Sequence, residues 1–212
     1  SHSFAAISSM TRSPNIMVVS PSLPARTVAE FIGFAKSRPG ELNYSTGATG
    51  SSNHIAGELF KSMTGTNIMR IAYKGGAAQE LSDLMSGQIH LTFGSGAAWA
   101  AQIKAGKVRA LATAGSRRSV LLPDLPTVGE TVPGFVSESL LALFAPAKVP
   151  DGIIRRLNQE TVRALGKPEV LERLLKTGQE PAGGTPEQLT EAVKAEMATV
   201  SKLIKDGMKT GE

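Results

Sequence analysis

Short apolar runs rich in β-branched residues alternate with segments of helical period along most of this chain. Residues 15–20 (NIMVVS) suit a buried strand. Thr27-Val28-Ala29-Glu30 has the S/T-x-x-E form that opens a helix, here running through Phe31, Phe34 and Ala35 until Pro39-Gly40 stops it. Residues 43–46 are the next strand. The turn at residues 47–50 leads into a helix with Ile55, Ala56, Leu59, Phe60 and Met63 on one face. Residues 68–73 read as a strand, and Lys74-Gly75-Gly76 turns into a helix with Leu81, Leu84 and Met85 inward and Gly87 behind it. Residues 89–93, the turn Gly94-Ser95-Gly96, a short Ala-rich helix ended by Gly106, and residues 108–113 repeat the unit. Repeated strand–helix units predict a parallel sheet with helices on both faces. Ligands in such sheets bind at the carboxyl ends of strands, where the three Gly-rich turns fall.

The texture changes near Leu121. Residues 122–127 (LPDLPT) form a Pro-punctuated connector, and residues 140–145 are an apolar strand. Pro150 suits the start of a helix burying Ile153, Ile154 and Leu157. A second helix, residues 168–178, turns Val170, Leu171, Leu174 and Leu175 inward. Thr185-Pro186-Glu187 caps a long third helix, with Leu189, Val193, Met197, Val200 and Leu203 in one stripe and Gly207 at its end. Three helices with little sheet need something to pack on, so this half is expected to belong to a second, incomplete lobe. The division expected is a complete α/β lobe at residues 14–118, with residues 1–13 and 119–212 forming the hinge and the remainder of the other lobe. The chain has 212 residues, 41% hydrophobic and 19% charged, so a sizeable core is within reach.

Several chemistries are disfavoured at once. There is no cysteine, which removes disulfides and thiolate metal sites. The three histidines have no metal-ligand spacing, so neither a metal nor a cofactor is expected. No apolar run is long enough to span a bilayer. The net charge is +5, but the basic residues are scattered and Arg117-Arg118 is the tightest pair, which argues for a solvated surface and against nucleic acid. Met63, Met85 and Met197 read as core residues.

The turn at residues 47–52 is the most informative segment. It follows a strand and opens a helix whose first N–H groups lack intrahelical partners and favour negative charge. Glycines allow close approach, and Thr49, Ser51 and Ser52 add hydroxyls, so the turn suits a carboxylate or phosphate. A plain capped helix is the competing reading. A dinucleotide-binding turn is a weak match, because Asn53 stands where a small residue belongs. A P-loop is equally weak, because Gly50 is followed by serine. Ser51 and His54 form a conceivable nucleophile–base pair with no orienting carboxylate placed by sequence.

Beyond these local readings, the ordered motifs resemble one family. Residues 43–60, containing Asn43-Tyr44-Ser45-Thr46-Gly47 and Ser51-Ser52-Asn53-His54-Ile55-Ala56-Gly57-Glu58, are similar to the receptor signature of tripartite tricarboxylate transporters, also called Bug proteins. Ala72-Tyr73-Lys74-Gly75-Gly76, Ser86-Gly87-Gln88-Ile89, residues 103–112 (IKAGKVRALA) and residues 122–128 (LPDLPTV) resemble its later motifs. The resemblance runs from about Phe4 to the C-terminus. It implies a periplasmic binding protein-like fold of two lobes of parallel-rich sheet flanked by helices, closing over a small carboxylate, with the first lobe incomplete here. It also implies a non-enzymatic, monomeric receptor in the periplasm with membrane transporter subunits as partners. A sensing receptor of the same fold and a nucleotide-dependent enzyme using the turn at residues 47–50 are the alternatives.

The resemblance further implies that Ser45, Gly47, Thr49, Gly50, Ser51, Ser52 and His54 grip a ligand carboxylate. Gly94 and Ser95, at the end of a neighbouring strand, complete the candidate set. The family's second grip, a Pro-Gly-rich turn near its N-terminus, has no match. The opening Ser1-His2-Ser3, without an initiator methionine, is read as a processed or tagged start with the signal peptide outside the chain. Two departures stand out. His90 stands where the family usually has aspartate, and Phe93-Gly94 where it often has Phe-Asp. An acid missing at position 94 implies a plain or aromatic carboxylate ligand in preference to an amino acid.

Overall fold

The computed structural model describes residues 3–73 and 77–208, so the Lys74-Gly75-Gly76 turn lies outside the described residues. In chain order the elements are β1 (Phe4–Val19), α1 (Val28–Ser37), β2 (Asn43–Thr46), α2 (Ser52–Thr64), β3 (Met69–Ala72), α3 (Ala77–Ser86), β4 (Leu91–Ser95), α4 (Gly96–Lys104), β5 (Arg109–Thr113), β6 (Glu138–Pro146), α5 (Asp151–Leu165), α6 (Pro168–Lys176), β7 (Glu180–Gly183) and α7 (Pro186–Lys205). They fall into two compact units. One comprises Ser1–Ser13 and Ser139–Ser201, the other Pro14–Glu138 and Lys202–Glu212. The candidate site lies wholly in the second.

In that second unit the strand order is β3-β2-β4-β1-β5. β2 runs parallel to both β3 and β4, as the strand–helix alternation predicts. The end of β1 departs from the expected all-parallel sheet. It lies antiparallel to β4 and to β5, with Val19 opposite Leu91 and Arg109. No helix joins β1 to a strand beside it, so nothing in its connection imposes the parallel direction.

The period-two alternation sorts side chains onto two faces. On one face Met17, Val19, Tyr44, Leu91 and Phe93 meet Phe31 and Ala35 of α1 and Ala56 and Phe60 of α2. Phe60 is the hub, with ring centroids 5.9 Å from Phe31, 5.8 Å from Phe93 and 6.0 Å from Phe135. On the other face Ile16 and Val18 pack with Leu84 of α3 and Trp99 of α4. The capping box expected at Thr27 forms half as written. The Thr27 hydroxyl accepts from the Glu30 N–H at 3.1 Å, whereas the Glu30 carboxylate accepts from the N–H of Arg26, one residue before the cap.

The first unit holds more sheet than its sequence suggests. β1 begins at Phe4 and pairs there with β6 and β7, the latter across Ser9–Gly183 and Thr11–Pro181. A buried ion pair, Arg12–Glu180 at 2.5 Å, fastens β1 to β7. Its core is small: Ile7, Ala145 and Ile154, with Ala5, Leu143 and Val149 beside them. Several residues expected inside are exposed, among them Ile153, Leu157, Leu171 and Met197. Met63 and Met85 of the second unit are also exposed, so none of the three methionines proposed as core is core.

Gly57 sits where α2 crosses β2. A Cβ there would overlap the ring of Tyr44, which is fully buried. Alanine is the better helix former, yet here it must push the helix off the sheet. Gly57→Ala is expected to destabilise the chain by about 1–3 kcal/mol, read as a lowered urea midpoint with little change in slope.

Candidate functional site

β2 ends at Thr46, and the chain turns through Gly47–Ser51 into α2. Gly50 has φ +82°, a left-handed conformation that costs glycine nothing and an L-residue about 1 kcal/mol or more. The turn is tied down by the second and third residues of α2. Asn53 Oδ1 accepts from the Gly47 N–H at 3.1 Å and from the Ser51 hydroxyl at 2.5 Å. His54 Nδ1 accepts from the Gly50 N–H at 3.0 Å. Ser51 also donates to the carbonyl of Ala48 at 2.6 Å. Ser51 therefore does not hydrogen-bond His54, and the nucleophile–base pair is not assembled.

This wiring changes the part each candidate plays. The N–H groups of Gly47 and Gly50 are spent inside the turn. The N–H groups of Ser52, Asn53 and His54 start the helix and have no backbone or side-chain partner among the described residues. Ser52 is exposed beside them. Thr49 is linked instead to a residue that motif reading passed over. Arg70 of β3 donates to Thr46 Oγ1 at 2.9 Å and to Thr49 Oγ1 at 3.2 Å, and makes no ion pair with a carboxylate among the described residues. The turn thus gathers three orphan N–H groups, the positive end of a helix dipole and a guanidinium. That combination is suited to an anion, and a guanidinium can bind a carboxylate through two N–H groups.

Ser45 and Thr92 face the other side of the sheet. The Ser45 hydroxyl, fully buried, donates to Glu80 Oε1 at 2.7 Å, and Thr92 donates to the same oxygen at 3.0 Å. An acid is therefore present near the strand ends despite the glycine at position 94. Glu80 comes from α3, one helix away in sequence, with no spacing rule to connect it to Ser45. Ser95 caps α4, its hydroxyl accepting from the Ala98 N–H at 3.3 Å. Gly94 lies under Trp99, whose indole would overlap a Cβ placed there.

Two histidines serve as backbone acceptors. His54 is 2% exposed, and burial, with Arg70 and Lys61 adding to it against Glu58, lowers its pKa from the ordinary 6.5. His90 accepts the Asn43 N–H at Nδ1, 2.9 Å, extending the β2–β4 pairing, and burial lowers its pKa too. Either ring must keep Nδ1 unprotonated to accept. Below about pH 6.5 the unfolded chain takes up protons that the folded rings resist, so the unfolded state gains and stability falls. The melting temperature is expected to hold steady above about pH 7.5 and to decline from about pH 6.5 downward. A His54→Asn, His90→Asn double variant should flatten that decline in a pH series of thermal melts.

The model of the tripartite tricarboxylate transporter family receptor matches residues 1–208. Protein BugT of Bordetella pertussis is 34% identical over 176 residues, covering 82% of this chain and 54% of BugT. A Rhodopseudomonas palustris protein solved with adipate is 38% identical with a TM-score of 0.74, covering 96% of this chain and 68% of that one. MatC of the same organism, solved with bound malate, is 25% identical with a TM-score of 0.70, covering 95% and 69%. The chain spans about three fifths of the length of several curated relatives it matches.

Proposed function

Because the chain belongs to the tripartite tricarboxylate transporter receptor family, we propose that it is a solute-binding receptor whose turn at residues 47–52 holds the carboxylate of a small organic acid. The observation that carries this is the pairing of Arg70 with the orphan N–H groups of Ser52, Asn53 and His54. A cation whose partners among the described residues are hydroxyls, beside helix-start donors with no partner among those residues, is arranged for an anionic group that comes and goes. Adipate and malate in the two R. palustris proteins are ligands of this chemical class. Ser45, Gly47, Thr49, Gly50 and Ser51 shape and brace the turn, and Ser52 adds a hydroxyl. Gly94 and Ser95 form the neighbouring wall.

Binding with no chemical step fits the absence of an assembled nucleophile, since the Ser51 hydroxyl is committed to Ala48 and Asn53. A nucleotide phosphate is disfavoured because the Asn53 side chain already occupies the Gly47 N–H that a dinucleotide turn would offer. Unit two, residues 14–138, then serves as one ligand-gripping lobe and unit one as part of the other. The receptor works in the periplasm as a monomer and delivers its ligand to the membrane subunits of a tripartite transporter. A plain carboxylate is preferred over an amino acid, because Glu80 Oε1 is already held by two hydroxyls.

A thermal-shift panel of adipate, malate, succinate, benzoate, aspartate, NAD and ATP tests the reading. A carboxylate at 100 times its Kd should stabilise by about 2.7 kcal/mol, an effect well above the noise of such melts. Stabilisation by nucleotide alone would overturn the receptor reading, and stabilisation by aspartate alone would overturn the plain-carboxylate preference. Arg70→Met should weaken the effective carboxylate by about 1.5–3 kcal/mol, the range for a hydrogen bond to a charged group.

A further inference from the structure

His54 brings a titratable ring to the turn, and the carboxylate grip described above makes no use of its proton. It is the third residue of α2 and only 2% exposed. Its Nδ1 accepts the Gly50 N–H at 3.0 Å, so the neutral ring carries its proton on Nε2. Asn53 pins Gly47 separately, which leaves Gly50, at φ +82°, to His54.

A proton on Nδ1 has no room in this arrangement. It turns the acceptor into a donor that faces the Gly50 N–H, and it places a charge away from water. The groups around the ring do not offset this. Burial opposes the charge most, then Arg70 of β3, with Lys61 of α2 adding to both. Glu58 of α2 favours it, but that carboxylate already takes the Tyr44 hydroxyl of β2 and the Lys61 ammonium. The protonated ring therefore leaves its place, and Gly50 loses the bond that fixes the turn. The N–H groups of Ser52, Asn53 and His54 follow directly from that turn, and His54 supplies one of them.

We propose that His54 is a proton-gated positioning residue: the turn at residues 47–52 holds a carboxylate only while the His54 ring is neutral, and lets it go when Nδ1 takes a proton. This rests on the carboxylate-receptor reading above and adds its regulation. Proton and carboxylate compete although opposite charges attract, because the proton removes the geometry that the anion needs. The sign is that of competition. Affinity is level where the ring is neutral and falls by about tenfold per pH unit once the ring of the free chain is mostly protonated. The His54 pKa lies below the ordinary 6.5, chiefly through burial, so the loss comes in acid below that value.

Calorimetric titrations with adipate and with malate, at about pH 7.5, 6.5 and 5.5, compare the wild-type chain with His54→Asn. The asparagine Oδ1 replaces Nδ1 as acceptor and does not titrate. Dividing the two dissociation constants cancels protonation of the ligand itself. The ratio of wild-type to variant Kd should climb several-fold toward the acid end, and exchange of the wild-type Gly50 amide should quicken in step. His54→Ala has no acceptor at any pH. It should bind about fivefold more weakly at neutral pH, the loss of one neutral hydrogen bond, and show no such climb. A flat ratio for an acid that does bind leaves His54 a structural brace, and the gate falls alone. A ratio that drops in acid overturns it as well, because the imidazolium is then helping to hold the anion. If His54→Asn fails to fold, the wild-type ring decides. Bound ligand has to lower the pH at which its 15N resonances titrate, and equal titration with and without ligand, or a ring neutral throughout, overturns the gate. If neither acid binds at neutral pH, the carboxylate reading falls and the gate with it.

Discussion

The close approach of α2 to β2 governs where everything at the strand ends is found. With no side chain at Gly57, the helix rests directly on the Tyr44 ring, and Phe60 one turn later locks among Phe31, Phe93 and Phe135. The Tyr44 hydroxyl is held in turn by Glu58, whose carboxylate also takes the Lys61 ammonium at 3.0 Å. Burial and that carboxylate push the Tyr44 pKa well above the phenol range, so the donor never leaves. Helix, ring and carboxylate therefore form one rigid contact. Its consequence is felt three residues before Gly57, where His54 and Asn53 reach back to pin Gly50 and Gly47. A turn fixed from the helix side leaves the helix's own first N–H groups pointing outward with nothing to bond.

Much of this was legible in the residues alone, for a physical reason. The elements of the second unit are local: each has a full helical stripe or a β-branched run, and each is bounded by glycine or proline. Residues 47–52 also announce themselves locally. What stayed hidden is what crosses between elements. Arg70 reads as an ordinary strand cation until parallel pairing sets it opposite Tyr44, two residues before Thr46 on the same face. Glu80 looks like a helix-start acid, and only packing sets it on Ser45 and Thr92.

In the first unit β6 was legible as an apolar strand, but the first part of β1 and β7 do not look like strands. The first part of β1 buries Ser8, Ser9, Thr11 and Arg12, which break the apolar pattern, and their partners come from residues 178–184 at the far end of the chain. β7 is Glu180-Pro181-Ala182-Gly183, a turn by composition, and proline is tolerated there because a strand edge has a free N–H side. The helical stripes misled in the opposite sense. Ile153, Leu157 and Leu171 fit a core-facing pattern at 3.6 residues per turn, but a period states only that one side is apolar, not that something covers it.

The polarity of the strand ends follows from the same packing. Three α2 N–H groups with no partner among the described residues and the Arg70 guanidinium gather at this turn. The acid in the neighbourhood, Glu80, has two buried hydroxyls on one of its oxygens. Arg70 also helps keep His54 neutral, which preserves the acceptor that holds Gly50. A second charge of the same sign would be costly next to Arg70, whereas a carboxylate relieves it. The cation that makes the turn attractive to an anion is therefore also what keeps the turn in shape before the anion arrives.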